Sequence, residues 1–572
     1  MSPITKDSFI ELNARERVKA VLDEGTFQEL LGPFDGLESP HLPPQGIVPQ
    51  SDDGVVIGRG QIDGEEAVVI SIEGSFQGGG IGEVSGAKIA GSLELALRDN
   101  KKGIKTLPVM LFDTGGVRLQ EANYGLLAIS EIMAAVIALR QHVPVVGVIP
   151  GNVGCFGGMS ITAALFSHLI MTKGARFGLN GPEVIEQEAG IEEFDSSDRP
   201  LIWGTIGGTQ RYSTGFVDEL VDDDVIEIRK AIQQVFFDKG KEINKTEQVD
   251  FYRHFLSQID PSKPIDPQTI RELWKQVRNA DNPKEVDIHS LPELDMPNSR
   301  GRAWFKALSG IGDPKGDIPS VLYGDSILGK EHVRYISVVP NPYNRFPRAR
   351  QGEVGLDEGW AIAKCVRDLV EKDKNGDPRA IVAIVDVPSQ AYGYREELLG
   401  IHFALAAAVD AYSTARLAGH PVISLIVGNA ISGAFLAHGY QSNRILALND
   451  DGVNVHAMSK QSAARITRRS IRDLEEATRK VPAMAYDVTS YSLLGALYEL
   501  IDGIEADTPG EQDIQTIKNK LTDAIADTRS DPPDLSNRLL TKEAINGGRT
   551  ASIKTRKLLE QQWNSIHMIY SS

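Results

Sequence analysis

At 572 residues the chain exceeds what one ordinary core organises, so two to four domains are expected. Hydrophobic residues make up 41% and charged residues 24%, which marks a globular chain, and no apolar run reaches the ~20 residues of a membrane helix. A net charge of −18 argues against general nucleic-acid binding, which needs a basic face to neutralise phosphates. Cys155 and Cys365 are too few for a disulfide framework or a four-cysteine zinc site and suit a reducing compartment. With no signal-peptide core in M-S-P-I-T-K-D-S-F-I-E, a cytoplasmic location is expected.

The first sixty residues read as a helical lead-in and a proline-rich loop around His41 to Pro49. A strand is predicted over Ala67 to Ile72, a helix from Glu83 to Arg98, and a buried strand from Pro108 to Phe112. Then come a helix from Tyr124 to Arg140, a strand from Val143 to Ile149 and a helix from Met159 to Phe166. Residues 238–299 are polar, carry several prolines and are expected to hold two short helices. The rhythm returns with a helix from Leu356 to Val370 and a strand from Ile381 to Val385. It continues with a helix from Leu398 to Ala418, a strand from Val422 to Val427 and a helix from Ala434 onward. Alternation of this kind means α/β architecture. The boundary is placed near Met296, giving domains at 1–285 and 300–572 joined by a linker at 286–299.

One segment is written twice. P-V-V-G-V-I-P-G-N-V runs from Pro144 to Val153, and P-V-I-S-L-I-V-G-N-A from Pro421 to Ala430. Each apolar run reaches Gly-Asn and then a small-residue pair, Gly157-Gly158 or Gly433-Ala434. A strand, a tight turn and a helix start read this way. Small residues at such a turn let backbone N–H groups point into a cleft, and the helix start adds positive potential. That arrangement stabilises an oxyanion. Two further glycine runs precede it: S-F-Q-G-G-G-I-G-E-V at 75–84 and D-T-G-G-V-R-L-Q-E at 113–121.

These three runs, in this order and each after a predicted strand, resemble the carboxyltransferase family of the crotonase-like superfamily. R-E-R-V-K-A-V-L-D-E-G-T-F-Q-E-L-L-G-P-F-D at 15–35 is similar to the beta subunits of biotin-independent malonate decarboxylases. R-G-R-A-W-F-K-A-L at 300–308 and N-R-F-P-R-A-R-Q-G-E-V-G-L at 344–356 are similar to their gamma subunits. The resemblance implies two crotonase-like (ClpP/crotonase) carboxyltransferase halves packed as a pseudo-dimer, with the active site at their interface. It implies oxyanion N–H groups from Gly78, Gly79, Gly157 and Gly158, with Gly433 and Ala434 as the second-half pair. The partner turn of the second half is V-D-V-P-S-Q at 385–390. Ser389 stands where biotin-handling relatives have glycine, which weighs against a biotin pocket.

Other residues keep two readings. Arg118 either holds a carboxylate or phosphate or forms a buried pair with Glu121 that shapes its loop. Arg345, Arg348 and Arg350 either contact phosphate or lie on a solvated loop. Arg465, Arg468, Arg469 and Arg472 form either a plain charged face or a docking surface for an acidic carrier protein. His41, His142, His402, His420, His438 and His456 show no metal-ligand spacing, and no metal is expected. No Ala-Met-Lys-Met sequence offers a biotin attachment site, and the isolated Gly324-Asp325-Ser326-Ile327 lacks a carrier-sized bundle around it.

The expected activity is that of a carbon–carbon lyase: decarboxylation of a malonyl thioester on acyl carrier protein to the acetyl thioester and CO2. The alternatives are a biotin-dependent acyl-CoA carboxyltransferase subunit and a non-catalytic scaffold. No covalent cofactor and no biotin are expected. The substrate would ride on the coenzyme-A-like prosthetic arm of the carrier. An acyl carrier protein subunit, an acyl-carrier transferase subunit and an oligomeric assembly are the expected partners, with neither nucleic acid nor membrane. The sequence names no proton donor; Glu83, Tyr394 and His438 lie near the glycine turns in the chain.

Overall fold

The computed structural model describes residues 6–237, 243–280, 296–312, 314, 316 and 318–570, with side chains to 565. Two compact units result. Unit 1 comprises Met1–Lys245 with Arg549–Ser572, and unit 2 comprises Thr246–Gly548.

Unit 1 is built on a seven-stranded sheet in chain order. Its strands are β1 (Gln28–Leu30), β2 (Val55–Ile62), β3 (Glu65–Ile72), β4 (Leu107–Leu111), β5 (Val146–Ile149), β6 (His168–Thr172) and β7 (Glu219–Val221). The first three pair antiparallel and the rest parallel. The β2–β3 hairpin turns on Asp63-Gly64, both at positive φ (50° and 78°), the geometry that an Asp-Gly pair favours in a two-residue turn. Between the parallel strands run the helices Glu83–Lys101, Asn123–Leu139 and Gly157–Ala164. Asn123–Leu139 is apolar nearly all round, so it is buried on both sides.

Unit 2 repeats the plan. Its strands are β8 (Val321–Leu328), β9 (Glu331–Val338), β10 (Ala380–Val387), β11 (Val422–Ile431), β12 (Arg444–Leu448), β13 (Asn454–His456) and β14 (Glu499–Ile501). The sheet order is β14-β12-β11-β10-β9-β8, with β13 also on β11. Only β8 and β9 are antiparallel. Helices Leu356–Asp373 and Ile401–Leu417 stand where Glu83–Lys101 and Asn123–Leu139 stand in unit 1, and Ser432–Ala437 follows β11 as Gly157–Ala164 follows β5.

The units divide elsewhere than at 285 and 300. Helices Val249–Ser257 and Pro267–Arg278 are the two short helices expected in the polar stretch, and they belong to unit 2. Aromatic packing explains this: Tyr252 stacks on Trp360 at 4.6 Å, and Trp274 meets Phe251 and Phe255 edge-on at 5.1 and 5.2 Å. Residues 286–295 of the expected linker lie outside the described residues; Ser299 caps the helix Arg300–Ser309.

The helix Thr550–Tyr570 belongs to unit 1, against Glu83–Lys101. Trp563 is fully buried, donates from Nε1 to Asp99 at 2.8 Å and lies under the Arg59 guanidinium at 4.2 Å. Glu131 takes Arg549 at 2.9 Å and Arg556 at 2.8 Å. Chain order groups this helix with residues 300–548, but its contacts place it in unit 1.

Candidate functional site

In unit 1 the three glycine runs lie at the carboxyl ends of β3, β4 and β5, where open α/β sheets place their sites. They interlock. The Gly115 N–H donates to the Gly78 carbonyl at 2.8 Å, and Ile81 N–H to the Gly116 carbonyl at 2.8 Å. Thr114 Oγ1 donates to the Gly79 carbonyl at 2.6 Å, and Phe156 N–H to the Thr114 carbonyl at 3.0 Å. The glycines are required by contact. A Cβ on Gly79 would sit 2.0 Å from the Asp113 carbonyl oxygen, and one on Gly116 would sit 3.0 Å from Gly157 Cα.

Asp113 fixes the turns from below. Its carboxylate accepts Val153 N–H at 2.8 Å and Arg17 Nη1–H at 3.0 Å. Burial pushes Asp113 upward in pKa, opposed by Arg17 and the loop N–H groups. Arg176 donates from Nη2 to the Asn152 and Val153 carbonyls at 2.9 and 3.1 Å and lies over the Phe156 ring, 5.8 Å from its centroid. Nothing in the sequence pattern marked Arg17 or Arg176. Burial and the nearby Asp113 push the Cys155 thiol well above its ordinary pKa, which disfavours the thiolate.

The four expected donors are not equivalent. Gly79 N–H is bonded to the Phe76 carbonyl at 2.9 Å, and Gly157 N–H to the Leu179 carbonyl at 2.8 Å. Among the described residues, the N–H groups of Gly78 and Gly158 have no hydrogen-bond partner. Each turn thus holds itself closed with one N–H and leaves one open. Gly158 is at the second position of the helix Gly157–Ala164, where the N–H groups have no acceptor within the helix.

Arg118 is buried and committed to its own surroundings. It donates to Asp53 at 2.6 Å and Glu121 at 2.8 Å, which is the loop-shaping reading. Glu121 also accepts Glu83 N–H at 2.8 Å and Ser39 Oγ–H at 2.6 Å. Burial opposes its ionisation, but Arg118 and His41 hold it below the usual carboxylate range. His41 meets Glu83 at 2.6 Å and stacks on Tyr124 at 4.5 Å. Burial would lower the His41 pKa; Glu83, Glu121 and Asp53 outweigh it and raise it. Ser552, from the helix Thr550–Tyr570, donates to the other Glu83 oxygen at 3.0 Å. His41 and Glu83 are 42 positions apart in the chain, which is why no spacing rule revealed them.

In unit 2 the turn after β11 begins at Ser432, with φ 57°, and the turn after β5 begins at Gly157, with φ 58°. The structural counterpart of Gly157-Gly158 is therefore Ser432-Gly433, one residue earlier than the pair Gly433-Ala434 read from the repeat. Gly433 N–H donates to Gln390 Oε1 at 3.1 Å. The Ser389 carbonyl accepts Val354 N–H at 3.0 Å, and its side chain is half-buried. Arg345, Arg348 and Arg350 surround the short turn Pro347–Ala349. Arg345 is held by Asp357 through two 2.6 Å hydrogen bonds, and Arg350 Nε donates to the Asn344 carbonyl at 3.0 Å. Arg465, Arg468 and Arg472 are exposed and Arg469 half-buried, on and between the helices Lys460–Ile466 and Ile471–Lys480. Among the described residues no His, Cys, Asp and Glu group has metal-binding form, and no helix is long and apolar enough to cross a membrane.

A carboxyl transferase domain model matches residues 11–287, and a malonate decarboxylase gamma subunit model matches residues 349–563. The malonyl-S-ACP:biotin-protein carboxyltransferase MADC of Malonomonas rubra is 40% identical over 300 residues, 50% of this chain and 94% of that protein. MADD of the same organism is 34% identical over 192 residues, 33% of this chain and 66% of that protein. A solved chain from a Pseudomonas malonate decarboxylase hetero-tetramer with malonate is 53% identical over 47% of this chain and 98% of that one, with a TM-score of 0.46. The chain belongs to the carboxyltransferase family, among its malonate decarboxylase members, with regions like their beta and gamma subunits in one polypeptide.

Proposed function

We propose that this chain decarboxylates a malonyl thioester carried by an acyl carrier protein, giving the acetyl thioester and CO2. The observation that carries the reading is the pair of open N–H donors, Gly78 and Gly158, in the interlocked turns of unit 1. Breaking the bond between the α-carbon and the carboxylate releases CO2 and leaves its electron pair on the α-carbon. The pair delocalises onto the thioester oxygen as an enolate, which needs donors aimed at that oxygen. A proton then adds to the α-carbon. Removing one donor of this type costs roughly 3–4 kcal/mol of barrier, so the turns account for a large share of the rate. The step needs no metal and no base to begin.

The names of the Malonomonas relatives, which act on malonyl-S-ACP, and the malonate bound to the Pseudomonas enzyme support this substrate class. Hetero-tetrameric and hetero-dimeric relatives support a multi-subunit assembly, and the carrier and the transferase that loads it are proposed as its further members. For the carrier we propose the exposed Arg465, Arg468 and Arg472, with Ile466 and Ile471 exposed between them, as the docking face. Arg348 and Arg350 are proposed near the phosphate of its arm; the Asp357 pairing leaves Arg345 a positioning role. The second reading, carboxyl transfer to biotin, is favoured by the biotin-protein acceptor in the names of the Malonomonas relatives. Purified chain given malonyl thioester without biotin decides between them. Release of CO2 and acetyl thioester is expected; turnover that appears only when biotin is added would overturn the decarboxylase reading.

A further inference from the structure

The two units carry the same turn in two states, and one residue separates them. In unit 1, Ile81 pairs with Val117: Ile81 N–H donates to the Gly116 carbonyl at 2.8 Å, and Arg118 N–H to the Ile81 carbonyl at 2.9 Å. In unit 2, Val354 pairs with Gln390 in the same way: Val354 N–H donates to the Ser389 carbonyl at 3.0 Å, and Ala391 N–H to the Val354 carbonyl at 3.1 Å. Asp113 and Asp386 match as well: Asp113 accepts Val153 N–H from the loop after β5, and Asp386 accepts Asn429 N–H from the end of β11. Val117 and Gln390 therefore hold the same place in the two sheets. The turns they face match too, Gly157 at φ 58° with Ser432 at φ 57°, followed by Gly158 and Gly433.

The outcome at the donor differs. Among the described residues Gly158 N–H has no hydrogen-bond partner, and the valine at the matching sheet position carries no acceptor in its side chain. Gly433 N–H is occupied, because the buried Gln390 carboxamide oxygen lies 3.1 Å away in the place a ligand carbonyl would take. A carbonyl ligand would have to displace that oxygen from Gly433 N–H, exchanging one hydrogen bond for another, a cost that unit 1 does not impose.

We infer that Gln390 closes the unit 2 turn to carbonyl ligands, and that the choice of valine or glutamine at this position decides which turn of the chain accepts a thioester. The inference rests on the proposed function only for the identity of the ligand at the unit 1 donor.

The test transplants the closing residue. Three full-length variants are made: Val117→Gln, Val117→Leu and Gln390→Val. In the crystal structure of Val117→Gln, the new carboxamide oxygen is expected within hydrogen-bond distance of Gly158 N; a carboxamide turned elsewhere overturns the inference whatever the activity. In calorimetry with acetyl-CoA, Val117→Gln is expected to weaken binding at least about tenfold, while Val117→Leu, which has similar reach and no oxygen, stays within about threefold of the parent. Decarboxylation of malonyl-CoA should fall about a hundredfold in Val117→Gln and stay within about twofold in Gln390→Val. Equal losses in the glutamine and leucine variants would assign the effect to bulk and overturn the inference. So would a tenfold loss in Gln390→Val. A parent chain that binds acetyl-CoA without turning over malonyl-CoA would refute the proposed function alone, with the structure and the binding data still deciding this point.

Discussion

Replacing Trp563 by alanine is expected to loosen unit 1 and leave unit 2 intact. The indole is fully buried, donates to Asp99 at 2.8 Å and covers the Arg59 guanidinium at 4.2 Å. Arg59 Nε and Nη1 are buried with no hydrogen-bond partner, so that side of the charge rests on the ring face and on the Asp99 carboxylate, 3.7 Å from Nη1. Truncating a buried aromatic to alanine costs about 3–5 kcal/mol, and a desolvated cation–π contact about 2 kcal/mol. The two overlap, and about 4–5 kcal/mol is expected. For a unit of this size each kcal/mol moves the midpoint by about 2–4 °C, so scanning calorimetry should show one transition falling by roughly 10–15 °C. Hydrogen exchange places the effect: peptides from the helix Glu83–Lys101 should lose protection, and peptides from β11 and β12 should not. Trp563→Phe, which keeps the ring and loses the N–H, should fall about half as far. A midpoint lowered by less than about 2 °C, or loosening centred on unit 2, would refute the assignment of this helix to unit 1.

Gly158→Val should lower turnover at least about a hundredfold in a chain that still folds, because the side chain would stand where the thioester approaches the open donor; steady-state rates alongside circular dichroism check this. The raised His41 pKa makes a pH-dependent contribution to stability. That contribution is fully present below the ordinary histidine pKa of about 6.5 and is lost as pH rises through the higher folded value. The gap in Tm between the parent and His41→Asn should therefore be widest near pH 6 and shrink toward pH 9, and a gap constant across that range would remove the charge argument. Glu358, buried with Ser320 and Asn344 as partners, is pushed up to about 7 by burial and by Asp357. Its protonated form favours the fold below about pH 4.5, and that favour is lost as pH rises through 7, so unit 2 should melt lower at pH 8 than at pH 5.5; Glu358→Gln should flatten this slope in calorimetry. Arg465→Glu with Arg472→Glu should weaken carrier binding more than about tenfold at low salt and spare malonyl-CoA turnover; unchanged carrier affinity at low salt would refute the docking face.

The sheet cores and the glycine turns were legible because their physics is local. The alternation of buried strands with helices accounts for nearly every predicted segment; the helix expected from Leu398 to Ala418 runs from Ile401 to Leu417, after a short helix Tyr394–Leu398. Strand β2 was missed although Asp63-Gly64 marks its hairpin. What the sequence did not carry was which N–H of each glycine pair is used internally. That depends on carbonyls of Phe76 and Leu179 brought in by the fold. The repeat also misled by one residue at the second turn. Unit 2 crosses it with a serine at positive φ and a shorter loop, so identical-looking small residues fall out of step. The His41–Glu83 contact and the return of residues 549–572 to unit 1 are long-range, and no window of sequence contains them.

The placement of the helix Thr550–Tyr570 sets an order of events during synthesis. A ribosome that has made residue 245 has not yet made the segment that covers Asp99, Glu131 and Glu83 in unit 1. About three hundred residues must follow first, which at about 5–20 residues per second takes roughly 15–60 s. Unit 2 is contiguous and has its whole sequence available before the ribosome reaches residue 549. The unit that begins the chain is therefore the last to be completed, and during that interval its helix Glu83–Lys101 stands uncovered, a surface for chaperones to hold and for proteases to find.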